Sequence, residues 1–351
     1  MPKLNHLQTA IGHKIIHNDR EYLYFGGTAY LGIPQNDDFL NLYLQGLKKY
    51  GLNNGTSRGN NVQLAIYDEA EACAARRFGA EAALITSSGY LAAQLAVKQV
   101  LEYGELRYAP DTHPALWHNG LPKIEQTFDD WALNVVEEIN ESLKEKWVLV
   151  TNSMNNLYPE LYDFSFIRRL NKQVVLVIDD SHGIGINNNG LGVFATLQHI
   201  ENIEIVVVAS MAKALGVDAG LILGSEKMIS LMKQSNEFLG ASPPAAAGLY
   251  AFMHGEEIYS KQLVKLKNNM GLLTKALFKN ENWHFIADFP VYLAKNAELS
   301  ASLKQQGILI SSFPYPDKDG PIINRIVLSS WHSTLVIEEL TNAIEKQILY
   351  R

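Results

Sequence analysis

The sequence predicts an α/β fold: a mostly parallel, seven-stranded sheet with helices on both faces, followed by a smaller C-terminal α+β domain. Three observations carry this expectation. Short β-branched runs alternate with helical periodicity through the first part of the chain. Most of these runs are apolar throughout, the pattern of strands buried on both faces. From about residue 280 the rhythm changes to short strands interrupted by helical patterns at 296–306 and 333–349.

In chain order the strands of the large sheet read AALIT (82–86), LRYA (106–109), KIEQTF (123–128), WVLVTN (147–152), VVLVID (174–179), EIVVVAS (204–210) and GLILGS (220–225). Helical patterns such as GYLAAQLAVKQVLEYG (89–104) and DWALNVVEEINESLKEK (130–146) lie between most of them. GLILGS follows EIVVVAS after a linker too short for a helical crossover, so it reads as the antiparallel member. A long helical region after 225 ends in SPPAAAGLYAFM (242–253), and WHFIAD, PVYLA, GILISS and RIVLSS follow as strands. The organisation read from this is an N-terminal segment over 1–50, a large domain over 51–255 and a small domain over 256–351.

Composition excludes several function classes. Hydrophobic residues make up 47% of the 351 and charged residues 19%, the balance of a globular rather than a disordered chain. The net charge of −7 and the scattered Lys and Arg residues leave no basic stripe for nucleic acid. A lone cysteine, Cys73, precludes an internal disulfide framework and reads as a core residue of a helical pattern. No metal site is expected. The N-terminus lacks a continuous apolar signal region, and no apolar run approaches the ~20 residues that span a bilayer, so a soluble, cytoplasmic protein is expected.

In open α/β sheets ligands bind outside the carboxyl ends of the strands. Four groups collect there. SSGY (87–90) follows the first strand as a small turn into a helix, and His113 follows the second in PDTHPA. Asp179, Asp180 and His182 follow VVLVI, and Ser210 and Lys213 follow EIVVVA. Each has an ordinary structural reading: an N-cap, a loop histidine, a capping carboxylate, a solvent-facing lysine. Together they describe a site for a phosphorylated, nitrogen-containing ring held through an amine. Pyridoxal 5'-phosphate fits: a helix N-terminus holds its phosphate, a lysine attaches to its aldehyde, and a carboxylate keeps its ring nitrogen protonated.

The motifs extend this reading. DDSHGIG (179–185), SMAKALG (210–216), SGYLAA (88–93) and RIVLSSWH (325–332) resemble signatures of the α-oxoamine synthases, a family of fold-type I pyridoxal-phosphate enzymes that includes 8-amino-7-oxononanoate synthase and 2-amino-3-ketobutyrate ligase. The resemblance spans about residues 20–345 and includes AYLGI (29–33) and ASPPAAAG (241–248). It implies that Lys213 binds the cofactor covalently, Asp179 pairs with the ring nitrogen and His182 with the phenolic oxygen. It places Ser88, Gly89, Tyr90 and Ser210 on the phosphate, His113 stacked on the ring, and Arg325 on the substrate carboxylate. It also implies a homodimer.

The chain departs from the family on the substrate side. An H-N-D triplet is replaced by Phe128-Asp129-Asp130, and F-S-M-D-G-D-x-A-P-L becomes NSMNNLYPEL (152–161) without its two acids. The glutamate expected just before that stretch is missing. Tyr67 stands where a histidine is expected in GTSRGNNVQLAIY (55–67), and Thr28 replaces an early asparagine. The function implied is condensation of an amino acid with an acyl thioester such as acyl-CoA, with decarboxylation to an α-amino ketone, and a place in biotin synthesis. The alternatives are a pyridoxal-phosphate aminotransferase or decarboxylase, and a non-catalytic scaffold that keeps the fold.

Overall fold

The computed structural model describes residues 4, 7–120, 122, 124–155, 157–278, 280–315 and 319–349. Two compact units emerge, one formed by 38–155 and 161–257, the other by 1–37, 156–160 and 258–351.

The first unit is built on a six-stranded sheet in the order Ala82–Thr86, Gly220–Gly224, Ile203–Ser210, Gln173–Asp179, Lys146–Asn152, Glu105–Tyr108. The last four run parallel, and Gly220–Gly224 runs antiparallel to both its neighbours, as its short linker demands. Val177, Val206 and Ile222 have no exposed surface, so the strands are covered on both faces. The helix Gly89–Val100 lies over the sheet with Ala92, Ala93 and Ala96 buried in the same core, small side chains that let helix and sheet approach closely.

A seventh strand over 123–128 does not form; Lys123 lies outside the described residues, and 124–127 has no strand pairing. Thr127 instead caps the helix Phe128–Glu141, its hydroxyl accepting from the Asp130 N–H at 3.1 Å. Phe128 turns inward and stacks on Tyr162 with centroids 3.9 Å apart. A cap and a core aromatic thus override the β-branched pattern.

The second unit holds a sheet in the order Lys14–His17, Arg20–Phe25, Ile308–Pro314, Ile322–Val327, Val291–Ala294, Trp283–His284. Asn18 and Asp19, both left-handed at φ 50° and 57°, close a two-residue hairpin between the first two strands. Arg20–Phe25 then pairs in parallel with Ile308–Pro314, which ties the first residues of the chain to the last hundred. His332 is the knot of this unit. Its Nδ1 accepts from the Ser329 N–H at 3.0 Å, its Nε2 lies 2.9 Å from the Tyr24 carbonyl, and its ring stacks on Phe25. The helices Glu256–Leu277, Leu299–Gln305 and Thr334–Leu349 complete the α+β pattern. No helix among the described residues is long and apolar enough to cross a membrane.

Candidate active site

The carboxyl ends of the parallel strands gather most of the residues singled out in the sequence. Asp179 ends its strand in register with Asn152 on one side and Val208 on the other. Its Oδ1 accepts from the Ser181 N–H, and Ser181 Oγ accepts from the Ser210 N–H, both at 2.8 Å. These two bonds stitch the turn after Asp179 to the end of the neighbouring strand. Lys213 lies three residues beyond Ser210, and its Nζ is 2.9 Å from His182 Nε2. An ammonium can only donate, so His182 accepts at Nε2 and carries its own proton on Nδ1.

Ser88, Gly89 and Ser210 converge where the helix Gly89–Val100 begins. A Cβ on Gly89 would stand 2.5 Å from Ser210 Cβ, and one on Gly220 would stand 2.1 Å from the Ser88 carbonyl oxygen. Only glycine lets these segments close. Ser88 Oγ caps the helix by accepting from the Leu91 N–H at 3.2 Å. The first N–H groups of a helix have no partner within it and present a positive field, as a phosphate requires. Tyr90 is 62% exposed. A close-packed anion cradle, a carboxylate at a strand end and a lysine paired with an imidazole fit pyridoxal phosphate by the chemistry of the donor set.

Asp180 points the opposite way from a solvent cap. It is 1% exposed, and its Oδ2 accepts from the Val193 N–H at 2.8 Å. Burial pushes its carboxyl up to about 7, with nearby Asp179 adding to the rise and the Val193 N–H opposing it. Cβ atoms on Gly183 and Gly192 would come within 2.1 and 2.2 Å of its oxygens, so the glycine-rich turn is wrapped around this acid.

His113 stands on the turn after Glu105–Tyr108. Its Nδ1 accepts from the Ala115 N–H at 3.2 Å, which leaves Nε2 as the proton-bearing nitrogen of the neutral ring. The ring is open to solvent on one side, yet desolvation by the surrounding protein pulls its pKa below the ordinary value; Asp179 opposes this and Lys213 adds to it. His113 therefore lies within the field of both. Asn152, which the sequence presents only as a departure from the family, holds this turn from both ends.

Two further positions are decided by packing. Tyr67 is 2% exposed, its hydroxyl donating to the Pro244 carbonyl at 3.4 Å, so it binds the SPPAAAG segment from within. Arg58 lies 5.0 Å from the Tyr67 ring and 4.9 Å from the Phe238 ring, and it pairs with the buried Glu71 at 3.0 Å. Nothing in the spacing of the sequence announces that sandwich. Arg325 belongs to the other unit. It sits in mid-strand with Leu293 and Ser311 beside it, 8% exposed, with its guanidinium carbon 5.1 Å from the Phe313 ring centroid. Burial lowers its pKa, and Tyr30 opposes the shift.

Comparison with known proteins gives the chain a family. The family model for class I and II aminotransferases matches residues 35–344. The chain belongs to that family. It is accordingly a pyridoxal-phosphate-dependent transferase of fold type I, and its motifs resemble those of the α-oxoamine synthases. It is 24% identical to an 8-amino-7-oxononanoate synthase of Petrotoga mobilis over 361 residues, covering 97% of this chain and 91% of the relative. Among solved structures it is similar to an 8-amino-7-oxononanoate synthase from Francisella tularensis, with a TM-score of 0.70, 17% identity, and coverage of 94% and 98% of the two chains. A variant serine palmitoyltransferase from S. paucimobilis, solved with a bound PLP–myriocin aldimine, gives a TM-score of 0.79 at 14% identity, covering 97% of this chain and 91% of that one.

Proposed function

We propose that the chain condenses an amino acid with an acyl thioester such as an acyl-CoA, releasing carbon dioxide and the thiol and yielding an α-amino ketone, as the family resemblance implies. The observation that carries this reading is the meeting of Lys213 and His182, at 2.9 Å, on the same sheet edge as Asp179. Ser88, Gly89, Tyr90 and Ser210 would hold the cofactor's phosphate, Asp179 its ring nitrogen and His182 its phenolic oxygen. When bound, the cofactor supplies an electron-withdrawing ring joined to the substrate's amine, which makes the bonds to the α-carbon breakable.

The chain's own residues do the rest. Lys213 holds and moves the proton at the α-carbon, and the accepting Nε2 of His182 keeps its amine in place. His113 would lie against the ring, and its Nε2 proton would be available to the acyl carbonyl oxygen, stabilising the charge that develops there. Arg325 binds the amino acid's carboxylate through its planar fork. A second copy of the chain would complete a homodimer in the cytoplasm. Leu40 and Leu44, on one face of the helix Asp37–Tyr50, are 53% and 42% exposed, and Leu52 and Val62 are 79% and 72% exposed; such apolar exposure suits a partner surface.

An aminotransferase is the second reading, favoured by the loss of both acids from 152–161. The visible spectrum of the purified protein with added pyridoxal phosphate tests both. A band that shifts with glycine, alanine or serine, followed by thiol release on adding acyl-CoA, is the expected result. Amine transfer to a 2-oxo acid without thiol release would establish the second reading, and no band at all would defeat both.

A further inference from the structure

The departure at 152–161 has a counterpart forty residues earlier in the chain. Asp111 adopts a left-handed backbone at φ 53°, a conformation unusual for any residue but glycine and stabilised here by grips from two asparagines. Asn152 Nδ2 donates to the Asp111 carbonyl at 2.7 Å, and Asn152 Oδ1 accepts from the His113 N–H at 3.1 Å. One side chain thus spans the turn. Asn155 Nδ2 donates to Asp111 Oδ2 at 3.0 Å. Asn152 is also the register partner of Asp179, and the Ser153 N–H donates to the Asp179 carbonyl at 2.8 Å. The clamp is therefore anchored to the strand that carries the site's acid.

We infer that Asn152 and Asn155 are positioning residues that, through Asp111, fix His113 over the reaction site. The inference deepens the proposed function, since His113 matters there only as a group facing cofactor and substrate. It also accounts for the missing acid. Where the family motif carries Asp, this chain carries Asn155, whose amide donates to the Asp111 carboxylate as a second carboxylate could not. The negative charge stands on the turn and the donor on the strand end.

A charge-reversal cycle tests this. In Asn155→Asp the two carboxylates repel and the grip opens. In Asp111→Asn/Asn155→Asp the pair is restored with its roles exchanged, and asparagine tolerates the left-handed backbone at 111. Two readouts are followed: the titration of the His113 ring by NMR in the cofactor-free protein, and the dissociation constant of pyridoxal phosphate. For Asn155→Asp, the titration midpoint should shift measurably from wild type. Affinity should fall about tenfold, the order expected for one hydrogen bond to a charged group. The double variant should return both to near wild type.

A double variant no better than the single, or a single variant indistinguishable from wild type in both readouts, would overturn the inference. Should Asn155→Asp fail to fold, Asn152→Ser decides the matter by the same two readouts, and an unmoved His113 titration counts against the clamp. If wild type binds no cofactor, the functional reading fails, while the titration still judges the clamp.

Discussion

Three buried polar groups of the larger unit stand at strand ends; three of the smaller one stand between elements. Asp179, Asn152 and Asp180 all follow or end a parallel strand, and their partners are turns that face the site. His332, Asn269 and Asn324 lie inside the smaller unit. Asn269 donates to the carbonyls of Ser329 and His332, and Asn324 to those of Asn296 and Ala297. The first arrangement holds chemistry at an edge, and the second ties strands, loops and helix together. Polar groups with partners on every side keep the structure, whereas those at the parallel edge are the ones the proposed function draws on.

The comparison is sharpened most by Lys213→Ala. Covalent attachment of the cofactor should vanish, and turnover should fall by at least the roughly 10²–10⁴-fold that a positioned acid–base group contributes. Borohydride labelling of any other lysine in wild type would break the assignment. Arg325→Lys tests the proposed carboxylate role. Losing the bidentate fork should raise the amino-acid KM about 10–100-fold, as expected for a charged hydrogen bond worth about 1.5–3 kcal/mol. A larger fall in kcat than rise in KM would move Arg325 from binding into the chemistry.

The pH dependence of stability should have opposite signs in the two units. His332 is held at about 4, chiefly by burial, below the ordinary value near 6.5. Its neutral form is the folded one, so stability is complete above about 6.5 and is lost as pH falls toward 4, by about 3 kcal/mol. Asp180 is raised to about 7, so its contribution is present below about 4 and is lost as pH rises through 7. Relative to wild type, His332→Gln should gain melting temperature as the pH falls from about 6.5 toward 4, and Asp180→Asn should gain it as the pH rises from about 4 to 7. Parallel profiles for all three proteins would remove the contrast.

The smallest effect is expected at the opposite end of the large sheet. There the amino ends of the strands border a cavity of about 610 Å³, lined by Lys146, Gln173, His199, Glu201, Glu204 and Lys227. Its charges are of both signs and converge on no single ligand type. His199→Ala should leave kcat and KM within experimental error. A tenfold change would show that this end takes part.

Much of the site was legible in the sequence because its residues lie within short motifs. Asp179 and His182 are three apart, Ser210 and Lys213 likewise, and each motif begins where a strand must end. Asn152 was not legible. Its role exists only because Asp111, forty-one residues away, is brought to its carboxamide. The N-terminal strands were hidden for the same reason, since Arg20–Phe25 finds its partner at Ile308–Pro314. KIEQTF misled in the other direction: its β-branched residues suggested a strand, and only the packing of Phe128 reveals that Thr127 opens a helix.

The contact between Asp180 and its two glycines has an evolutionary consequence. With Cβ positions at 183 and 192 lying about 2 Å from the carboxyl oxygens, a side chain at either glycine would force the Asp180 carboxyl to move. Gly192 is constrained twice, because its φ of 72° independently disfavours any other residue. The three positions are therefore expected to change together. Among orthologues, a shorter residue at 180 should accompany any alanine or serine at 183.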